Sequence, residues 1–212
     1  MRLTKFSHAC VRMEREGAAL VIDPGGFSEA GSLDGADAVL ITHEHFDHLD
    51  VDKLTSKLAG RTDATIYAHP EVVDKLDGLD ATVHPVRPGE TFTAAGFRVT
   101  TTGGRHAVIH SDIPRIANVG YLIEETFYHP GDSVDPSDLP EGAQVETLFL
   151  PVNAPWLKLS ESVDFVRAVT PRRAYALHDF LLSDAGLKVY GTNIAKLAGC
   201  DYERVEPGTT LP

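Results

Sequence analysis

The chain has 212 residues, 42% of them hydrophobic and 24% charged, which suits one soluble globular domain with ample length to bury a core. Acidic residues outnumber basic ones 31 to 19, a formal charge of −12, and aromatics are only 8%, so the basic stripe and the stacking platform of a nucleic-acid binder are both missing. No apolar run reaches membrane-span or signal-peptide length, and Cys10 and Cys200 lie too far apart to suggest a disulfide framework, so a cytoplasmic, reduced setting is expected.

Strands are predicted over 3–7, 10–14 and 18–22, with Glu16-Gly17 as the turn between the last two and Asp23-Pro24-Gly25-Gly26 ending the third. After a loop over 33–36, the apolar run 38–41 is a strand leading into Thr42-His43-Glu44-His45-Phe46-Asp47-His48. Asp50 then caps a helix with Val51, Leu54 and Leu58 at helical spacing, stopped by Gly60. A strand over 65–68, a short helix over 71–76 and a strand over 81–86 follow, then a hairpin of 91–93 and 97–102 around Ala95-Gly96. The second half contains strands over 119–124, 126–129 and 147–152, and a helix from a Ser160 cap to Val169, ended by Pro171. A strand over 174–177 precedes a last helix, capped by Ser183, with Leu187, Tyr190, Ile194 and Leu197 on one face and Gly186 and Gly191 weighing against it. Neither a linker nor a repeat divides the chain. Short strands with interspersed helices, and no long alternating βαβ series, point to mixed sheets with helices outside.

The run His43-x-His45-x-Asp47-His48 packs four metal-ligating side chains into six residues straight after a strand. Strand side chains alternate with period two, so His43 and His45 face one way, and the turn that follows swings Asp47 and His48 towards a second point. Two adjacent cations use these four groups more readily than one does, and a two-metal centre can clamp both the attacking and the leaving oxygen in hydrolysis. A structural zinc site is the alternative, but such sites are usually rich in cysteine. Three later strands each end in a further ligand type: His106 after Gly103-Gly104-Arg105, Asp132 after Pro130-Gly131, and His178 after residues 174–177.

In this order, His43-x-His45-x-Asp47-His48, His106, Asp132 and His178 resemble the metal-binding motifs of the metallo-β-lactamase-fold hydrolases. Ser7-His8-Ala9 and Ile22-Asp23-Pro24 also resemble the branch containing ascorbate-6-phosphate lactonase-like proteins. The resemblance implies a single α+β domain over 1–212, an αββα sandwich of two mixed β-sheets flanked by helices, with metals at one edge between the sheets. It implies further that His43, His45 and His106 hold one metal, that Asp47, His48 and His178 hold the other, and that Asp132 bridges them. The nitrogen and oxygen donors suit two divalent ions, zinc first, with manganese or iron as alternatives.

The expected activity is hydrolysis of a small ester, lactone or phosphoester by a hydroxide bridging the two metals. Asp132 sets the metal separation, Asp47 orients the hydroxide, and His8 either projects into the cleft as a substrate contact or proton donor or is a structural histidine. Asp23 orients a ligand histidine or caps the turn at Pro24. His110, Asp112 and Arg115 line the pocket or form a solvated loop, and Trp156 floors the cleft or packs in the core. The expected partner is a small-molecule substrate, with no nucleic acid or membrane, and a homo-oligomer is left open. Competing readings are a nuclease of the same fold, disfavoured by the acidic balance, and a non-catalytic metal-binding or regulatory protein. Thioester hydrolysis also remains open; antibiotic hydrolysis and a flavin-dependent redox role fit poorly.

Overall fold

In Val11-Arg12-Met13-Glu14-Arg15, Val11 and Met13 are fully buried while Arg12, Glu14 and Arg15 reach partial solvent. That is the period-two signature of a strand with one face in a core. The computed structural model describes residues Met1–Pro212 and places this strand in the first of two seven-stranded sheets. The first sheet is built from β1 (Arg2–Lys5), β2 (Val11–Arg15), β3 (Ala18–Ile22), β4 (Ala38–Ile41), β5 (Thr65–Ala68) and β6 (Thr82–Pro85), in that spatial order. The second contains β7 (Thr91–Ala94), β8 (Phe97–Arg105), β9 (Ala117–Ile123), β10 (Phe127–His129), β11 (Thr147–Pro151), β12 (Arg173–Leu177) and β13 (Asp201–Glu203). The chain then returns to the first sheet, where β14 (Thr209–Leu211) pairs outside β1. Each sheet is antiparallel through its earlier strands and becomes parallel at β3 and at β10.

Three apolar clusters layer the molecule. Between the sheets, Met13, Leu20, Ile22 and Leu40 meet Phe97, Val119, Tyr121 and Phe149. On the outer face of the first sheet, Val39, Ile41 and Ile66 pack with Leu54 and Leu58, at the end of α1 (Val51–Lys57), and with Val72 of α2 (Pro70–Val73). On the outer face of the second, Leu148, Leu150 and Ala176 pack with Val163 and Val166 of α3 (Leu159–Val169) and Ile194 of α4 (Asp184–Leu197). This is the αββα sandwich that the resemblance implies. No helix is long and apolar enough to cross a membrane.

Several local predictions match. Asp50 accepts from the Lys53 amide at the start of α1, and Ser183 from the Gly186 amide at the start of α4. Glu16-Gly17 and Ala95-Gly96 both adopt left-handed turn conformations. Others need correction. Ser160 does not cap α3: the helix starts at Leu159 on Lys158, whose amide donates to the Glu161 carboxylate at 2.8 Å. The short helix starts earlier than expected, with His69 as its cap accepting from the Glu71 amide. The parallel half of each sheet is a short βαβ series that the sequence reading does not anticipate, and β13 and β14 go unpredicted because three-residue strands carry almost no periodic signal.

Candidate metal centre

Four strand ends deliver the centre. The His43–His48 loop leaves β4, His106 follows β8, Asp132 follows β10 after two residues, and His178 follows β12. The two sheets are tied where they meet. The Val119 amide donates to the Thr42 carbonyl at 2.9 Å, and the buried Tyr121 hydroxyl donates to the Ile41 carbonyl at 2.9 Å.

The candidate donor atoms fall into two groups, each within 4.8 Å: His43, His45, His106 and Asp132 in one, His8, Asp47, His48 and His178 in the other. Asp132 faces both. Its Oδ2 lies 3.1 Å from His106 Nε2 and 3.8 Å from His43 Nε2, and its Oδ1 lies 3.1 and 2.8 Å from the Nε2 atoms of His48 and His178.

Hydrogen bonds at the far side of each ring fix which nitrogen is left for an ion. The Thr42 hydroxyl donates to Asp23 Oδ2 at 2.7 Å, so it accepts from His43 Nδ1–H at 3.0 Å. His48 Nδ1–H donates to the same Asp23 oxygen at 2.6 Å, and His106 Nδ1–H donates to the Ala107 carbonyl at 2.6 Å. In all three rings Nε2 is therefore the nitrogen turned to the centre, the atom an ion would take. The Nε2 atoms of His48 and His178 are 2.8 Å apart, and the buried Asp132 Oδ1 beside them has no hydrogen-bond partner. Nitrogen and carboxylate oxygen atoms crowded this closely fit positive charge among them, and the donor set fits divalent metals that accept nitrogen and oxygen.

The electrostatics agree. Burial disfavours charge on His48, but the carboxylates of Asp132 and Asp23 outweigh it and hold its pKa well above the ordinary value. Burial raises the Asp132 carboxyl, yet His178, His48 and His43 hold it well below the usual range. His43, deeply buried beside His48, is pushed well down. The field favours positive charge between the rings and a carboxylate facing it.

Each loop is held by residues with no role in the motif. Asn118 accepts the Asp132 amide and donates to the Pro130 carbonyl, both at 2.9 Å. Gly131 lies at φ +60, where a Cβ would come within 2.3 Å of the Asn118 side chain, so only glycine permits this turn. At Gly25 a Cβ would be 2.0 Å from the Asp47 carbonyl oxygen, so the Asp23–Gly26 turn closes directly onto the motif. Buried His129 donates to the Ala9 carbonyl and accepts the Gly131 amide, joining the Asp132 turn to the N-terminal loop. Buried Lys5 donates to the carbonyls of Phe6 and His8, the latter at 2.8 Å. His8, Asp23 and His178 all sit in the left-handed region (φ 59, 46 and 61), strain held in place by these contacts.

The eight candidate ligand and catalytic residues all converge here, and for His8 the structure matches the structural alternative. His8 does not project into the cleft: its side chain is buried between Phe27 and His178, with Nε2 2.9 Å from Asp47 Oδ2. Burial lowers its pKa to about 4 despite the Asp47 hydrogen bond, so the ring is neutral at neutral pH and donates to Asp47. Asp23 has the ring-orienting position. Trp156 lies on the cleft wall and donates from Nε1 to Asp132 Oδ2 at 3.2 Å. His110 and Asp112 are exposed, Arg115 donates from Nε to the His106 carbonyl at 2.8 Å, and their loop reaches the cleft through Ile109 instead. Thr42, Asn118, His129 and Lys5 have no role in the sequence reading; among them only Thr42, inside the motif, and His129, three residues before Asp132, carry any sequence signal.

A cleft of about 300 Å³ opens above the two groups, lined by Phe27, Phe46, Ile109, Trp156 and Leu181 alongside Asp47, Asp132 and His178. Comparison with known proteins agrees with this architecture. The family model for the beta-lactamase superfamily domain matches residues 2–178. Protein Rv0786c of Mycobacterium tuberculosis is 36% identical over 209 residues, covering 96% of this chain and 95% of the relative. A UPF0173 metal-dependent hydrolase of Exiguobacterium is 28% identical over 194 residues, 84% of this chain and 85% of the relative. Among solved structures, the metallo-beta-lactamase fold protein YhfI of Bacillus subtilis superposes with a TM-score of 0.74 at 15% identity, covering 99% of this chain and 98% of its own.

Proposed function

Since the chain belongs to the beta-lactamase superfamily and is a metal-dependent hydrolase of that fold, we propose that it cleaves a small-molecule ester, lactone or phosphoester with two divalent cations. His43, His45 and His106 would hold one cation, Asp47, His48 and His178 the other, with Asp132 shared. The observation that carries this reading is the two-sided Asp132 carboxylate, one oxygen toward each group of histidines. When bound, such cations polarise the substrate oxygen and make water nucleophilic near neutral pH; zinc fits the donors best, with manganese and iron also compatible.

The side chains divide the remaining work. Asp47 and His45 are the partly exposed candidate donors on the cleft wall, and the Asp47 carboxylate, 23% exposed, is positioned to orient the attacking water. His8 donates Nε2–H to Asp47 from below, fixing that carboxylate and leaving it ionised. Trp156 and the apolar wall exclude bulk water and steady the Asp132 oxygen through the indole N–H. The absence of any lysine or arginine among the wall residues supports a small-molecule substrate over nucleic acid.

Elemental analysis of protein purified without chelators, assayed in parallel on carboxylic ester, lactone, thioester and phosphodiester panels, tests the proposal. The expected result is about two metals per chain and turnover on one class, both lost in Asp132→Ala. One metal or none, with no turnover after zinc or manganese is restored, would leave a metal-binding protein without this chemistry.

A further inference from the structure

Seven large apolar side chains of this molecule are exposed, and five of them, Phe46, Val108, Ile113, Phe180 and Leu181, follow a proposed ligand in sequence. Phe46 comes directly after His45, Val108 and Ile113 lie on the loop after His106, and Phe180 and Leu181 come two and three residues after His178. The loops after β4, β8 and β12, which supply the ligand histidines, put Phe46, Ile109 and Leu181 on the cleft wall. Phe46 and Leu181, 61% and 56% exposed, line the cleft itself. Phe27 stacks on Phe180 at 4.7 Å and meets Phe46 edge-on at 6.0 Å, forming an aromatic rim. Exposed apolar residues scattered singly need no explanation, but a cluster around a reaction centre marks a ligand surface.

The charges narrow the ligand. The only full-time charges on the wall are the carboxylates of Asp47 and Asp132, both committed to the centre. Arg115, on the adjoining loop, uses its Nε on the His106 carbonyl and does not line the cleft. A phosphorylated or carboxylated substrate tail would meet no cationic side chain there, in a protein of formal charge −12. The cleft of about 300 Å³ has room for roughly ten heavy atoms, at the ~30 Å³ that one water occupies in the liquid.

We infer that the substrate is an uncharged carboxylic ester or lactone carrying an alkyl or aryl chain of about that size. Its carbonyl sits at Asp47 and Asp132, and its chain lies on Phe27, Phe46, Ile109, Leu181 and Trp156. This rests on the hydrolase reading above and selects among its substrate classes. Specificity then comes from the rim, through chain length.

Two measurements on the metal-loaded protein separate this inference from the hydrolase reading. In the first, kcat/KM is followed across 4-nitrophenyl esters from acetate to decanoate, with 4-nitrophenyl phosphate and bis(4-nitrophenyl) phosphate in parallel. A rise of about fourfold per methylene until the cleft is full is expected, the ~0.8 kcal/mol of burying one CH₂ converted at 1.36 kcal/mol per factor of ten. Phe46→Ala and Leu181→Ala should flatten that slope, and Val189→Ala, an exposed apolar residue outside the cleft, should leave it unchanged. The second measurement needs no turnover. The sole tryptophan, Trp156, is on the wall, so its fluorescence should respond to 1-alkanols from butanol to decanol with affinity rising by a similar factor per methylene.

A chain-length-dependent alkanol response without hydrolysis of any panel supports the apolar occupant and sinks the hydrolase reading. Turnover with a flat chain-length profile, or a preference for the phosphate substrates, overturns the inference and leaves the hydrolase intact. A flat alkanol response accompanied by self-association that Phe180→Asp abolishes, or by binding to phosphatidylcholine vesicles, assigns the rim to a second copy or to a lipid surface and also overturns it.

Discussion

Asp23 points no atom at the candidate ions, yet both its oxygens are engaged. Oδ1 accepts the Thr42 amide at 2.8 Å, and Oδ2 accepts the Thr42 hydroxyl and His48 Nδ1–H. Through these bonds one buried carboxylate orients His48 directly and His43 through Thr42. Removing such a partner typically weakens a metal site 10- to 100-fold, so Asp23→Ala should show a loss of about that size in chelator competition. An unchanged affinity would mean packing alone orients the rings. A second residue-scale prediction concerns the thiols. Burial pushes Cys10 to about 11, while Cys200 is only partly buried. The thiolate is the reactive form, so a disulfide reagent should titrate one thiol per native chain and two in denaturant. Two reactive thiols without denaturant would show that the layer between the first sheet and its helices opens readily.

At the scale of elements, β4 is the strand whose placement matters most, because its end sets the position of the motif. Its side chains feed two clusters at once, Leu40 inward and Val39 and Ile41 outward, which explains why it reads as a continuous apolar run. Tyr121 of the opposite sheet clamps its last carbonyl. Tyr121→Phe removes that hydrogen bond and leaves a buried acceptor poorly satisfied, a loss of about 1–2 kcal/mol. At about 2–4 °C per kcal/mol for a chain of this size, thermal unfolding should shift down by roughly 2–8 °C, with metal affinity falling too if strand position matters. Asp50→Ala, which removes the α1 cap remote from the centre, should cost about 1 kcal/mol and leave metal affinity unchanged.

For the whole molecule, the centre joins segments from position 8 to position 178 and from both sheets, so ions bound there add to global stability. An ion that binds only the folded state at about 100 times its Kd contributes about 2.7 kcal/mol, or roughly 5–11 °C at the same conversion. Calorimetry with and without a strong chelator should show at least that difference. Equal transitions would mean that no ion binds the folded chain tightly at this centre. The two-sheet plan also repeats itself, each sheet passing from antiparallel to parallel along the chain, although no sequence repeat is visible.

Local features are legible in the order of the amino acids. Apolar runs bounded by turn residues mark most strands, Asp50 and Ser183 mark helix starts, and the His-x-His-x-Asp-His spacing identifies the motif, because each signal is written within one element. His106, Asp132 and His178 were legible as strand-end residues, and their order carried the family resemblance. How these positions combine is a product of sheet pairing and packing. That packing put the two Asp132 oxygens between separate groups, turned His8 beneath Asp47 rather than into the cleft, and recruited Asn118, His129 and Lys5 as supports. It also gathered Phe27, Phe46, Phe180 and Leu181 into one rim. Each of these depends on strand pairing and sheet packing that bring together residues up to 170 positions apart, and nothing in the spacing of a single segment encodes such a meeting.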